Sequence, residues 1–330
     1  MSDDYLFDPD ATPDPEIARL ERALEPFRHA NRPQAAQRQT RPPRRGLAFW
    51  ASSVAAAAAV VVAVATWLDH GSPATPSPYR LEGAFDGARV FAKDGRARAP
   101  AEGVLAGDRI EIDERARARL SIGSIGSVVL EANSRVRVEE REVGDVPDGE
   151  AFGLYLERGT VAASIFAAPR VFQVGTPAGI AVDLGCIYKT TVTDDGRTWL
   201  SVVSGFVAFE TERRHVLVPA GAECEALPGV GPLTPTWQEA PHDYKDAIRR
   251  IDVESPAPAE ALAALHGQTD RRATLTLWHL LTHAEFAVRK TALDVLLGAG
   301  HVPEAIAPER LLEQDIDALL TLRRSFDWGP

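Results

Sequence analysis

The chain has 330 residues, 45% of them hydrophobic and 25% charged, and a formal net charge of −11. That length holds about two folded domains besides any spanning segment, and the apolar share suffices for a core. Residues 1–46 contain eight acids and eight arginines and Asp69 adds one acid, so the segment from Tyr79 onward carries −10. A domain so acidic is a poor partner for phosphate backbones, and no direct contact with nucleic acid is expected.

Residues 1–46 read as a short tail with one amphipathic helix. Asp14 can cap it, Pro15 fits the first helical position and Glu16 favours the positive end of the helix dipole. Ile17, Leu20, Leu24 and Phe27 then fall on one face. A tail of this size cannot bury such a stripe against itself, so the stripe is expected to dock in a groove of a partner protein; a helix lying on lipid or a disordered tail is the alternative. Charge is split within the tail. Residues 1–25 hold all eight acids and two arginines, and residues 26–46 hold six arginines. The basic half suits membrane topology and anionic lipid rather than DNA.

Leu47 to Leu68, LAFWASSVAAAAAVVVAVATWL, is an uncharged run of 22 residues. As a helix it would be ~33 Å long, against a hydrocarbon core of ~30 Å. Trp50 and Trp67 sit near its ends, where indole rings favour the membrane interface. Arg32, Arg38, Arg41, Arg44 and Arg45 crowd its N-terminal side. Arginines beside a span stay in the cytoplasm. The expectation is a single-pass membrane protein with its N-terminus in the cytoplasm and the remaining domains outside. A cleaved signal peptide fits less well, because 46 residues precede the run and the apolar core is too long. Residues 69–79 follow as a proline-rich linker, including GSPATPSP.

Residues 80–227 read as all-β. Runs such as RIEI, ARLSI, SVVLEA, RVRVEE, IYKTTV and HVLVP are separated by turns such as GSIGS, PDGE and TDDGR. Strands recurring every ~8–12 residues suggest stacked hairpins, a sandwich or a solenoid. An x-Gly-x-Val/Ile step recurs as AGDRI (106–110), RGTV (158–161) and SGFV (204–207), where glycine supplies a positive φ or close packing at a corner.

An ordered series of stretches resembles the FecR-type periplasmic domain of membrane regulators. It runs through AGDRIEIDERARARLSIGSIGSVVLEANSRVRVEE, LYLERGTVAASI, FQVGTPAGIAVDLGCIYKTTV, LSVVSGFVAFE and HVLVPAGAEC. The resemblance implies an inner-membrane location, a β-rich outer domain in the periplasm that receives a signal, and a cytoplasmic tail that binds an extracytoplasmic-function sigma factor. It carries no catalytic residues. An unidentified periplasmic or outer-membrane protein and membrane lipid are the other partners expected. The rival reading is an envelope-anchored module that holds polysaccharide or another protein, with a tail that only sets topology.

Residues 228–241, with Pro228, Pro232, Pro235 and Pro241, read as a second linker. Residues 242–330 read as helical, over 243–251, 257–267, 271–283, 285–297 and 308–322, in a small bundle or HEAT-like hairpins. The expected fold class is therefore multi-domain: one transmembrane helix, an all-β domain, then a small all-α domain.

Chemistry is sparse. His279 and His283 share a helical face in HLLTH, but the glutamate of H-E-x-x-H is missing and no metal is expected. GSIGS (123–127) lacks the rest of a phosphate loop, and no G-x-S-x-G elbow occurs. No cofactor and no enzymatic activity are expected. Cys186 and Cys224, the two cysteines, lie on the side placed outside, so a structural disulfide between them is expected, with two buried free thiols as the alternative.

Overall fold

The computed structural model describes residues 77–82, 87–99, 103–140, 151–267 and 269–328. Alternating apolar residues decide its architecture. Ala118–Ile122, for example, buries Ala118, Leu120 and Ile122 and turns Arg119 and Ser121 outward. Seventeen such strands form among the described residues. The first eight are β1 (Tyr79–Glu82), β2 (Ala88–Phe91), β3 (Ala97–Arg98), β4 (Arg109–Ile112), β5 (Ala118–Ile122), β6 (Gly126–Leu130), β7 (Arg135–Glu140) and β8 (Phe152–Ile165). There follow β9 (Phe172–Thr176), β10 (Gly179–Asp183), β11 (Ile187–Val192), β12 (Thr198–Ser204), β13 (Phe206–Glu210), β14 (His215–Pro219), β15 (Ala222–Leu227), β16 (Gly231–Pro232) and β17 (Thr236–Trp237).

Pairing sorts the strands into two sheets. The first runs β1-β5-β6-β8-β11-β12-β15, with β16 and β17 on the far side of β15. The second runs β3-β2-β4-β7-β8-β9-β10-β13-β14. All pairs are antiparallel except β8 with β9. The sheets share β8, whose N-terminal half belongs to the second and whose C-terminal half to the first. Its buried residues change parity along the way, from Phe152, Leu154 and Leu156 to Val161, Ala163 and Ile165. A change of parity moves the inward set by one residue, as a bulge does, and β7 shifts register opposite this point, between Arg135 and Val136. Gly159 sits at the bend with φ +90°, and a Cβ there would lie 2.4 Å from Ser134 Cα. Gly205, φ +75°, plays the same part where β12 of the first sheet gives way to β13 of the second. At Gly159 and Gly205 the recurring glycine step is thus the corner at which the chain changes sheets, whereas Gly107, φ +88°, lies between β3 and β4 of the second sheet. One continuous core joins both, with Leu120, Val161 and Leu200 from the first and Ile110, Leu154 and Phe209 from the second.

Helices follow: α1 (His242–Val253), α2 (Ala259–Ala263), α3 (Thr274–Leu280), α4 (Phe286–Gly298), α5 (Pro308–Leu312) and α6 (Ile316–Arg324). The apolar row Tyr244, Ala247, Ile248 and Ile251 of α1 faces the core. The helix expected over 308–322 is broken in two. Gln314 takes a positive φ of 58°, and Asp315 caps α6 by accepting from the Ala318 N–H.

Two expectations are corrected. No helix among the described residues is long and apolar enough to cross a membrane. The longest, α4, has 13 residues, a length of ~20 Å against the ~30 Å a span requires. The run Leu47–Leu68 lies outside the described residues. Among the described residues the fold class is a β-rich structure with a helical C-terminal part and no membrane-spanning helix. Secondly, the stretch 228–241 is not a free linker. Gly231–Pro232 and Thr236–Trp237 pair with β15, and the described residues belong to one compact unit. A proline-rich segment manages this because it contributes only two-residue strands at the sheet's edge, where missing N–H donors cost least.

Candidate functional site

A cleft of about 340 Å³ opens where α1 meets the edge of the first sheet. Its walls follow from two periodicities. Along β12, alternation sends Leu200 and Val202 into the core and Trp199 outward, 41% exposed. The register sets Trp199 against Glu225 of β15. Along α1, His242, Lys245, Asp246 and Arg249 form a polar row at i, i+3, i+4 and i+7, beside the buried apolar row. Leu233, Thr234 and Thr236 complete the lining from the extended segment between.

Most of the charges there are already matched. Arg249 Nε donates to Glu225 Oε2 at 3.0 Å, and an Arg197 amine lies 3.4 Å from Oε1. Oε1 is buried and accepts no hydrogen bond. Lys245 Nζ is 2.7 Å from Glu223 Oε1 and donates to the Gln238 carbonyl at 2.7 Å. Four groups lining the cleft have no polar partner among the described residues: the Trp199 indole N–H, the Thr236 hydroxyl, the His242 imidazole and the Asp246 carboxylate.

Behind the cleft the helical part is fastened to the sheets by buried polar groups. The Asp252 side chain, fully buried on α1, accepts from Arg214 at 3.0 Å and from the Thr234 backbone N–H and hydroxyl. Removing one member of such a pair leaves the other charge uncompensated, a loss of ~3–5 kcal/mol in comparable cases. His279 of α3 reaches the second sheet. Its Nδ1 donates to the Leu275 carbonyl at 2.8 Å, which leaves Nε2 to accept from the Leu217 N–H of edge strand β14 at 3.2 Å. An edge N–H that could pair with another chain is thereby occupied. Burial pushes the His279 imidazole down to about 3, against the opposing effect of the Leu275 bond. His283 accepts from the Glu285 N–H through Nδ1. The two histidines thus serve separate local contacts, and among the described residues no group of three or more His, Cys, Asp or Glu is placed to hold a metal. The segment 123–127 is the turn and strand start between β5 and β6.

The expected disulfide is absent. Cys186 and Cys224 are both buried free thiols. Cys186 Sγ donates to Asp183 Oδ2 at 2.7 Å, whereas Cys224 Sγ donates to the Leu233 carbonyl at 3.1 Å. Register explains the separation. Cys224 is level with Leu200 of β12 and, through it, with Thr190 of β11, two strands away. Cys186 lies four residues before Thr190, so the two are roughly 15 Å apart, beyond the ~7 Å a bridge tolerates. Burial raises both thiols well above their ordinary values, and it also raises the Asp183 carboxyl. The expected partner-binding residues Ile17, Leu20, Leu24 and Phe27 lie outside the described residues. Trp199, His242 and Asp246 were not singled out from the sequence; an outward tryptophan in the alternating run TWLSVV was the available signal.

No family model matches the sequence, and no curated protein matches it. Among solved structures, two crystal structures of a candidate anti-sigma factor from Parabacteroides distasonis match, at 1.65 and 2.50 Å resolution. Each is 16% identical, with a TM-score of 0.34, over 43% of this chain and 64% of that one. This chain therefore spans less than two thirds of the length of the chains it matches. The similarity is to an anti-sigma-type chain, and it extends over less than half of the present one.

Proposed function

We propose that the protein is a signal-transduction regulator in which residues 1–46 bind an extracytoplasmic-function sigma factor and the two-sheet unit receives the signal. The observation that carries this reading is the ordered FecR-like series. Its five stretches fall on β4 to β7, on β8, on β9 to β11, on β12 and β13, and on β14 and β15, all within one core. The tail supports it from the sequence, since Ile17, Leu20, Leu24 and Phe27 make an apolar stripe that 46 residues cannot bury. The role is one of binding rather than catalysis. Sequestration by a helix in a groove requires the stripe to be desolvated on docking, so charges there oppose it. Co-purification of the full-length chain with extracytoplasmic-function sigma factors tests the reading. The wild type should retain a sigma factor and the Leu20→Asp, Leu24→Asp variant should release it. Absence of any retained sigma factor, or retention by the double variant, refutes it.

A further inference from the structure

We propose that the cleft between β15 and α1 is a saccharide site that takes a neutral one- or two-ring sugar stacked on Trp199. Three observations converge on that ligand class. The first is charge. Glu223, Glu225 and Asp246 are opposed by Arg197, Lys245 and Arg249, and all but Asp246 are held in ion pairs. The formal charges of these six groups cancel, so the cleft as a whole does not select an ion of either sign.

The second is the set of groups left free. The cleft offers a flat aromatic face, an indole N–H donor, a carboxylate acceptor, and a hydroxyl and an imidazole that do both. Sugar hydroxyls donate and accept at once, and the C–H face of a pyranose ring covers an indole.

The third is size. At about 340 Å³ the cleft lies at the lower end of the ~300–1,000 Å³ common for small-molecule pockets. Its walls are a strand register and a helix packed on the core, so the groups are held in place before the ligand arrives.

Sugar binding here requires nothing of residues 1–46, so the sigma-factor reading and this one stand or fall separately. The test is a titration of the full-length protein with cellobiose and with chitobiose, read by tryptophan fluorescence. At least one disaccharide should give a saturable change. Trp199→Ala should remove that change, and Asp246→Asn should weaken binding about tenfold with the far-UV spectrum unaltered. Trp199 is exposed and Asp246 is a surface residue, so neither variant is expected to disturb folding. Cadaverine, a diamine, should not compete. No saturable change with either sugar, an unchanged response in Trp199→Ala, or displacement by cadaverine would each overturn the assignment.

Discussion

His279→Gln tests whether the seam between the helical part and β14 is held by a neutral imidazole. In the wild type the ring donates to Leu275 and accepts from Leu217, and its pKa is driven to about 3, chiefly by burial. The unfolded chain binds that proton near pH 6.5, so lowering the pH through this range favours the unfolded state. Stability contributed by the neutral ring is complete above about pH 6.5 and is lost progressively as the pH falls towards 3. Between pH 7 and pH 5 the loss from this one group is ~2 kcal/mol, at 1.36 kcal/mol per pH unit below the unfolded pKa. For a folded unit of about 250 residues that corresponds to roughly 4–8 °C in Tm. Glutamine does not titrate. At pH 7 the variant should be less stable by ~1–3 kcal/mol, because the Leu217 N–H loses a well-placed acceptor. Its fall in stability between pH 7 and pH 5 should nevertheless be ~2 kcal/mol smaller than that of the wild type. Asp183 and His283, whose titration is also shifted by burial, are present in both proteins and cancel in the difference. Urea unfolding followed by circular dichroism at the two pH values measures it. Equal pH slopes for the two proteins would refute a buried neutral His279.

Gly205→Ala should destabilise by more than ~2 kcal/mol, since the new Cβ would lie 2.3 Å from the Gly185 carbonyl oxygen at a φ of +75°. Gly95→Ala, at φ +84° with nothing within 4 Å, should cost only ~1 kcal/mol, and equal melting temperatures for the two variants would refute the corner role of Gly205. Cys186 and Cys224 should resist a thiol reagent in the native protein and both react once it is unfolded without reductant. A melting temperature lowered by reductant would contradict two free thiols.

The β architecture was legible because alternation in short runs depends only on neighbours two residues apart. ARLSI and RVRVEE carry their buried faces in the sequence itself. The glycine corners were legible for a similar reason, since RGTV and SGFV interrupt that alternation with a residue tolerant of positive φ. What escaped was the consequence of non-local register. Cys186 and Cys224 look like natural partners when they are the two cysteines of a chain, yet their distance is decided by two strand pairings and an offset of four residues. The same holds for 228–241. Prolines argue against a central strand, but not against two-residue segments laid along the outer side of β15.

The cleft was the least legible feature, and its composition shows why. Trp199 is outward by simple alternation, and the His242, Lys245, Asp246, Arg249 row follows from helical spacing. Each half alone reads as a solvated surface. They become a concavity only because β12 pairs with β15, and because the segment from Leu233 to Thr236 is short enough to return α1 across that edge. The segment is itself pinned: Leu233 N–H donates to the Glu225 carbonyl, and the Thr234 N–H to Asp252. Acidic residues tie the two sides together, with Glu223 holding Lys245 of α1 beside the pairs that follow. Glu225 holds Arg249 of α1 from the sheet side, and Asp252 holds Thr234 and Arg214 from the helix side. The ion pairs of Glu223 and Glu225 with Lys245 and Arg249 tie α1 to the sheet edge, so Trp199, His242 and Asp246 line one cleft, and that placement, rather than any motif, is what distinguishes it from the rest of the surface.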